Sequence, residues 1–282
     1  MAAFIFSKTK TFCMKPYESH LFKFAFFPGL AGQSGTGYPE RIEYLASNLA
    51  ANEAWNYSGT TINTNPILKN YLEFTFRRLK QEKKIKFTSD NKFACFNTGL
   101  VTENLEDIYA LFEQYKNPTP NNSPYFFLEF LKKSDTPVLR HFSGNFPETA
   151  DYFETPDLLL FNPKLELIPD IDHIIDDNID RFPPHLKVAD KAELRRQVYG
   201  SIQDITKRVR NNYKIAVPQY YNGNIQLLLP LCLTDGSPNP DLALVVHKVN
   251  NTTYSARTCL TLRMAYNNAR LIVKPESNWL KP

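Results

Sequence analysis

Cysteine is scarce in this chain of 282 residues, and its spacing excludes two common kinds of site. The four cysteines form no C-x-x-C pair, so the sequence predicts neither a zinc knuckle nor a dithiol redox motif. Unpaired thiols are typical of reducing compartments, which favours a cytoplasmic location. The cysteines are Cys13, Cys95, Cys232 and Cys259.

The common catalytic signatures are also missing. The chain has no G-x-S-x-G elbow, no H-E-x-x-H and no Walker loop, so it lacks the usual marks of hydrolases and NTPases. Glycines cluster at 29–37, but their spacing does not match G-x-G-x-x-G and no G-K-[ST] follows. This segment predicts a flexible connector rather than a phosphate-binding loop.

Long apolar runs are absent as well. No window approaches the ~20 apolar residues that span a bilayer, and no signal peptide is visible, so we expect a soluble cytoplasmic protein without a membrane partner. The net charge is only +4, from 33 basic and 29 acidic side chains. Such a balance permits contact with nucleic acid without requiring it, so local patches must carry that case.

Helical periodicity is present in five segments. Apolar residues recur at helical spacing after Pro39, after Pro66 and within 103–115. The longest helix is predicted over 190–211, with Asp190 as N-cap and five core-facing apolar positions. These five are Leu194, Val198, Ile202, Ile205 and Val209. A closing helix is predicted over 262–271.

Strand signals alternate with these helices. Asn222-Gly223 is a strong hairpin signal, and Asn250-Asn251 separates two further apolar runs. Predicted strands cover 85–87, 93–96, 125–131, 138–142, 158–161, 213–221, 225–233, 241–249 and 254–259. The pattern predicts an α+β fold in which hairpins build a largely antiparallel twisted sheet against several packed helices.

Composition suggests one soft boundary. Residues 117–124 hold three prolines and three asparagines, which disfavour regular structure and indicate a subdomain break. We therefore predict an N-terminal extension with the glycine-rich connector over 1–38, and a single domain over 39–282 with a possible break at 117–124.

The closing helix carries a cationic stripe. Residues at i, i+4, i+7 and i+11 share one face, whereas small and apolar residues face the core. The stripe consists of Arg263, Asn267, Arg270 and Lys274. Two interpretations stay open: a solvated surface, or an anion clamp in which arginine gives bidentate donors to phosphate oxygens.

The segment around 212–221 concentrates amide, phenol and cationic groups in an apolar element. Pro218 cannot donate to a strand ladder, so it predicts a bulge or an edge position that aims Gln219 and Tyr220 at a ligand. Tyr220 or Tyr221 can stack on a base, and the structural alternative is a tyrosine-lined sheet surface.

An acidic run at 170–181 offers the only metal-like composition. Five aspartates surround His173, and Asp172 and Asp176 can share a helix face. The run matches no known ligand spacing, so a divalent metal is possible but not favoured, and no metal ligands are assigned. His141 and His247 are further general-base candidates without a recognisable partner.

Several strings over about 40–282 resemble the family catalogued as domain of unknown function 3825. The most specific are Asn-Thr-Gly-Leu at 97–100 and Ala-Tyr-Asn-Asn-Ala-Arg-Leu at 265–271, with Trp55 and Arg181-Phe182-Pro183 among the others. The resemblance implies no mechanism. Because the family occurs near RNA-directed modules such as LOTUS-type winged helices, it implies an RNA or nucleotide context.

The sequence thus predicts a nucleotide- or RNA-directed protein with a phosphate-binding polar pocket. If it is an enzyme, a hydrolase of nucleotide or RNA phosphoesters, or an RNA-end processing enzyme, is expected. The alternatives are a non-catalytic RNA-binding module and a protein-interaction domain. The catalytic candidates are Lys214, Tyr220, Tyr266 and Arg270. The substrate-binding candidates are Asn97, Thr98, Gly99, Arg181, Asn212, Gln219, Tyr221, Asn267 and Asn268.

Overall fold

The chain folds into two units, each built around its own sheet. The computed structural model describes residues 20–29, 37–61, 64–115, 122–234, 237 and 239–282. The first unit comprises the described residues up to Glu53 together with 72–150, and the second comprises 54–71 and 151–282. Most of the extension and connector predicted before residue 38, and most of the break predicted at 117–124, lie outside the described residues. The single domain predicted over 39–282 stays a prediction.

Helices and strands alternate along both units, as an α+β fold requires. The helices are α1 His20–Phe24, α2 Tyr38–Tyr44 with a π-helical extension Leu45–Leu49, α3 Pro66–Gln81, α4 Thr136–Phe142, α5 Ile171–Asp176, α6 Pro184–Lys187, α7 Lys191–Asn211 and α8 Leu262–Arg270. The strands are β1 Ala25–Phe26, β2 Lys86–Phe87, β3 Phe93–Val101, β4 Asp107–Gln114, β5 Tyr125–Lys132, β6 Glu166–Pro169, β7 Val217–Tyr221, β8 Asn224–Leu231, β9 Leu242–Lys248 and β10 Thr253–Leu260.

The first unit has a five-stranded sheet in the order β1-β5-β4-β3-β2. Its strands are antiparallel except for β1, which pairs parallel with β5. Phenylalanines fill its core: Phe112 of the central strand contacts Phe96, Phe127 and Phe24 at ring separations of 5.4 to 5.7 Å. Such tilted and offset aromatic pairs add to the stabilisation that burial alone provides.

The second unit has a five-stranded sheet in the order β6-β10-β9-β8-β7, with only β6 parallel to its neighbour. Helix α7 packs on this sheet through the five apolar residues that the sequence predicts. Its N-cap is also confirmed, because the Asp190 side chain accepts hydrogen bonds from the amides of Ala192 and Glu193. No helix in the described part of the chain is long and apolar enough to cross a membrane.

The hairpin at Asn222-Gly223 is confirmed. Both residues have positive φ, 47° and 87°, as a two-residue type I′ turn requires. This turn fixes the register of β7 on β8, in which Gln219 lies opposite Gln226. Strand β7 is shorter than predicted, because 213–215 form a 3-10 turn before it. Its position at the sheet edge accommodates Pro218, which cannot donate to a second neighbour.

Three predicted elements are wrong. Residues 103–115 form no helix: Leu105 is an exposed turn residue with φ 62°, and β4 follows it. Residues 138–142 belong to α4, which begins beside Pro137 after Asp135. Residues 158–161 form no strand, because a 3-10 turn occupies Pro156–Leu159. The fold class itself is confirmed, with the antiparallel strands shared between two sheets.

Candidate functional site

Helix α8 provides the polar groups of the candidate site. It begins after Thr261, whose hydroxyl accepts a hydrogen bond from the Met264 amide, and it buries Ala265, Tyr266, Ala269 and Arg270. The predicted cationic stripe therefore divides. Arg263 is exposed, Arg270 turns into the unit, and Lys274 lies beyond the end of the helix.

Arg270 is held against two aromatic rings. Its guanidinium carbon lies 4.9 Å from the centre of the Trp55 ring and 4.4 Å from that of Tyr71, and the residue is only 7% exposed. A cation packed on ring faces is stabilised by their negative potential, by ~2 kcal/mol or more once it is desolvated. Its place in the last turn of α8 adds a favourable interaction with the helix dipole.

Tyr57 lies beside the first turns of α8. The guanidinium of Arg263 lies 5.0 Å from the centre of its ring, and the Asn267 side-chain amide donates a 2.6 Å hydrogen bond to its hydroxyl. Burial raises the pKa of the Tyr57 phenol, and the bond from Asn267 and the charge of Arg263 oppose that rise. Tyr57 remains half-buried, so part of the residue is open to solvent.

Two buried polar atoms in this cluster lack a hydrogen-bond partner among the described residues. The indole nitrogen of Trp55 and the side-chain oxygen of Asn267 make no hydrogen bond within the described part of the chain. Trp55 is only 3% exposed. Leaving such a group unpaired costs ~1–3 kcal/mol, so folded proteins rarely do so without another reason. One atom is a donor and the other an acceptor. We call Trp55, Tyr57, Tyr71, Arg263, Asn267 and Arg270 the aromatic–arginine cluster.

Gln219 and Asn268, both predicted to bind substrate, are hydrogen-bonded to each other. The Asn268 amide donates to the Gln219 carbonyl oxygen at 3.1 Å, and the Gln219 amide donates to Gln226 at 2.9 Å. Gln219 is 1% exposed. This relay ties α8 to β7 and β8, and it satisfies buried amides that would otherwise be costly.

The other candidates near β7 occupy different surroundings. Asn212 accepts a hydrogen bond from the amide of Lys214, and both residues are exposed in the turn before β7. Tyr221 is exposed at the end of the strand, and Tyr220 packs edge-on against Tyr152 at 4.8 Å. Tyr266, by contrast, is buried on the inner face of α8. Lys214 and Arg270 thus differ sharply in exposure.

Arg181 joins α5 to the sheet. It donates to the Asn178 side chain at 2.6 Å, to the Cys259 carbonyl at 2.5 Å and to the Thr258 hydroxyl at 3.2 Å. Asn178 also donates to two carbonyls at the end of α5. The contacts converge where the register of β10 shifts, between Ala256 and Thr258. Arg181 therefore stabilises an irregular strand.

Asn97, Thr98 and Gly99 belong to the first unit, where they form an irregularity in β3. The Asn97 side chain accepts a hydrogen bond from the Gly99 amide at 2.8 Å, and the Thr98 hydroxyl donates to the Ile108 carbonyl at 2.7 Å. Gly99 has φ 73°, a conformation that favours glycine. The register with β4 shifts between Asn97 and Val101, so these residues have a structural role there.

The acidic run disperses into separate contacts. Asp170 caps α5 by accepting from the His173 amide, and His173 pairs with Asp177 at 2.7 Å. Asp172 and Asp176 face Arg195 and Lys191, at 3.7 and 2.7 Å. Among the described residues, no three His, Cys, Asp or Glu side chains are grouped as a metal site would need. The histidine candidate His141 stacks on Phe93 at 4.1 Å.

Sequence reasoning missed Tyr57 and assigned no site role to Trp55 or Tyr71. Tyr57 and Trp55 lie in an irregular segment that has neither helical nor strand periodicity. Two large aromatic residues in a short polar segment were the available signal, because such side chains need a surface or ligand to pack against.

Comparison with known proteins identifies a family without an activity. The family model described as "Domain of unknown function (DUF3825)" matches residues 46–279, which cover the whole aromatic–arginine cluster. No curated protein and no solved structure matches the chain.

Proposed function

Since the chain belongs to the family described as Domain of unknown function (DUF3825), whose membership brings no activity with it, we propose a function from the site alone. The second unit binds a nucleotide, either free or as part of single-stranded RNA, at the aromatic–arginine cluster. The unpaired donor on Trp55 and the unpaired acceptor on Asn267 carry this proposal.

The chemistry of the cluster suits a nucleotide. A nucleobase presents donors and acceptors side by side on its edge, which complements one unpaired donor and one unpaired acceptor. Aromatic rings supply stacking surfaces, and arginine neutralises phosphate.

The residues divide these roles. Trp55 and Asn267 bond to the base edge after the segment that carries Trp55 shifts to expose these buried atoms, and the half-buried Tyr57 offers a ring for stacking. The exposed Arg263 lies over that ring and is free to meet phosphate oxygens. Arg270 packs on the Trp55 ring at 4.9 Å, which favours one orientation of that ring.

Binding is better supported than turnover. A residue that stabilises developing charge has to reach the reacting atoms, whereas Arg270 is buried against two rings. Lys214 lies in an exposed turn, and Tyr266 lies on the inner face of α8. Phosphoester hydrolysis through these residues stays a prediction.

Isothermal titration with nucleoside monophosphates and short single-stranded RNAs tests the proposal. Trp55→Phe keeps a ring on Arg270 but removes the indole donor, and Arg263→Gln removes the exposed charge. Each lost contact costs ~1 kcal/mol, so we expect each variant to weaken affinity by about fivefold. Arg195→Gln is the matched control, because it removes an exposed arginine that faces Asp172.

The outcomes separate the alternatives. Saturable binding of a mononucleotide, weakened by Trp55→Phe but not by Arg195→Gln, supports a nucleotide site. Binding of RNA alone, with the same sensitivity, assigns the cluster to an RNA-binding module. No binding of either ligand at millimolar concentration would refute the proposal and favour a protein-interaction domain.

A further inference from the structure

Positive charge is concentrated on α7 and the turn that follows it. Residues 190–214 include seven basic and three acidic side chains, a net charge of +4. The whole chain also has a net charge of +4, so the remaining 257 residues are balanced overall. This concentration gives the second unit a local positive potential that the total charge does not reveal.

The cations at the two ends of α7 differ in whether they form ion pairs. At the N-terminal end, Lys191 lies 2.7 Å from Asp176 and Arg195 lies 3.7 Å from Asp172. Further along, five cations are exposed and form no ion pair with any described residue; Arg208 hydrogen-bonds to the Cys232 side chain, which leaves four. These are Arg196, Lys207, Arg210 and Lys214, which we call the α7 track. The exposed acidic residues Glu193 and Asp204 lie on the same outer face as the track, each three positions before a track cation, Arg196 and Lys207 respectively, and reduce the net positive charge of that face.

The track follows the outer face of the helix. The buried face is occupied by the five apolar residues that pack on the sheet, and Arg196, Lys207 and Arg210 fall on the opposite side at 100° per residue. At 1.5 Å per residue, Arg196 and Arg210 are separated by about 21 Å. Two tyrosines are strongly exposed along the same course, Tyr199 at 53% and Tyr213 at 61%.

Helix stability explains only part of this arrangement. Cations in the last turn interact favourably with the helix dipole, which accounts for Lys207 and Arg210. The effect falls off within one turn, so it does not explain Arg196 near the start of the helix. It also does not explain Lys214, which lies past the end of α7 in a 3-10 turn.

We propose that the α7 track binds the phosphodiester backbone of single-stranded RNA. This inference takes its ligand class from the proposed function but involves different residues. Repeated cations over about 21 Å suit a chain of phosphates rather than a single anion, and the exposed tyrosines can stack on bases. The track and the aromatic–arginine cluster are separate surfaces, because α7 packs on the face of the sheet that holds Leu227 and Leu229, whereas Gln219, which bonds to Asn268 of α8, lies on the other face.

The exposed face of α7 fits RNA better than it fits a membrane. A helix that lies on a bilayer inserts an apolar face, and the apolar face of α7 is already buried against the sheet. Besides the track and Tyr199, the outer face presents Ala192, Glu193, Gly200, Gln203, Asp204 and Asn211. None of these supplies an aliphatic side chain long enough to insert.

The salt dependence of binding tests the track directly. The probe is a fluorescein-labelled oligouridylate of about 12 nucleotides, within the site sizes of single-strand binders. Four phosphate contacts predict a slope of log affinity against log salt of about −2.8, which is about a 50-fold loss between roughly 50 and 200 mM. The triple variant Arg196→Gln, Lys207→Gln, Arg210→Gln should reduce the slope to about −0.7, a threefold loss over the same range.

A charge-matched control removes three exposed cations from the first unit, Lys23→Gln, Arg77→Gln and Lys80→Gln. It should leave the slope unchanged. An equal reduction in both triple variants would attribute the effect to net charge and overturn the proposal, as would equal binding of oligoglutamate or of anionic vesicles. Mononucleotide affinity should be unchanged in the α7 variant. If the wild-type protein binds no mononucleotide but keeps the steep slope, the cluster is wrong and the track stands.

Discussion

Replacing Arg270 with methionine removes a buried cation while keeping most of its aliphatic stem. The guanidinium lies 4.4 Å from the Tyr71 ring centre and 4.9 Å from that of Trp55, so the substitution breaks two cation–π contacts together. Arg270 makes other interactions, which a single substitution also disturbs. A double-mutant cycle with Tyr71→Leu isolates the contact between this one ring and the cation, because interactions with third groups cancel.

The expected coupling follows from the burial of the pair. A cation–π contact is worth ~0.5–1 kcal/mol at an exposed site and ~2 kcal/mol or more when desolvated. Arg270 is 7% exposed and Tyr71 is 5% exposed, so the buried limit applies. We expect the cycle to give a coupling energy of about 1–2 kcal/mol. The coupling can fall below the buried limit because the Trp55 ring still contacts the guanidinium in the Tyr71→Leu variant.

Urea unfolding followed by tryptophan fluorescence is the suitable assay. The chain has two tryptophans, Trp55 and Trp279, and both lie in the second unit, so the signal reports the unfolding of that unit. All four proteins of the cycle keep both probes. A coupling below about 0.5 kcal/mol, the usual error of additivity, would refute the reasoning that the rings stabilise the buried cation.

Three further substitutions test other parts of the second unit with the same assay. Burial raises the pKa of Tyr57 above its ordinary value near 10. The neutral phenol therefore contributes its full stabilisation below that ordinary value, and this contribution is lost as pH rises through the pKa of the folded state. Tyr57→Phe should flatten the decline in the free energy of unfolding above about pH 10. Gln219→Leu leaves the amide of Asn268 without its acceptor, so we expect a loss of about 1–3 kcal/mol, and an unchanged midpoint would contradict a structural role. Arg181→Met removes the bond to the Cys259 carbonyl and should cost about 2 kcal/mol without altering nucleotide affinity, whereas a substrate-binding role predicts the reverse.

The elements that the sequence predicts well are those with two agreeing local signals. Helix α7 has a regular apolar period and an N-cap at Asp190, and the structure confirms both. The Asn222-Gly223 turn combines two residues that tolerate positive φ with apolar runs on either side, and it forms as predicted. In each case the residues that decide the structure are close together in the chain, so tertiary contacts need not be known.

The incorrect helix prediction at 103–115 shows that apolar spacing does not always distinguish a helix from a strand. Leu105, Ile108 and Phe112 are spaced as on a helix, but 108–112 is a continuous apolar run. A central strand that is buried on both faces produces the same run, and β4 is such a strand. Which structure forms depends on β3 and β5 as partners, and no local pattern encodes that choice.

The candidate site was predictable only in part, for the same reason. The unusual polar groups of α8 and β7 are visible in the sequence as amides and cations within apolar elements. Their partners are not: Asn267 bonds to Tyr57, which is 210 residues away, and Arg270 packs on Trp55. Periodicity assigns a residue to a face but does not say what covers that face, so it could not tell that Arg270 is buried.

Polar groups in the core of the second unit are of two kinds, and a last substitution distinguishes them. Gln219 has its hydrogen bonds made within the protein, so its removal should cost stability. The Trp55 indole nitrogen is buried without a described partner, which costs ~1–3 kcal/mol. Removing the nitrogen removes this cost, and the gain offsets the stability that is lost with the smaller ring. We therefore expect Trp55→Phe, followed through Trp279, to change the unfolding free energy by less than about 1 kcal/mol while weakening nucleotide binding. A large loss of stability with unchanged affinity would mean that the indole serves the fold, and that the unpaired atoms give no support to a ligand site.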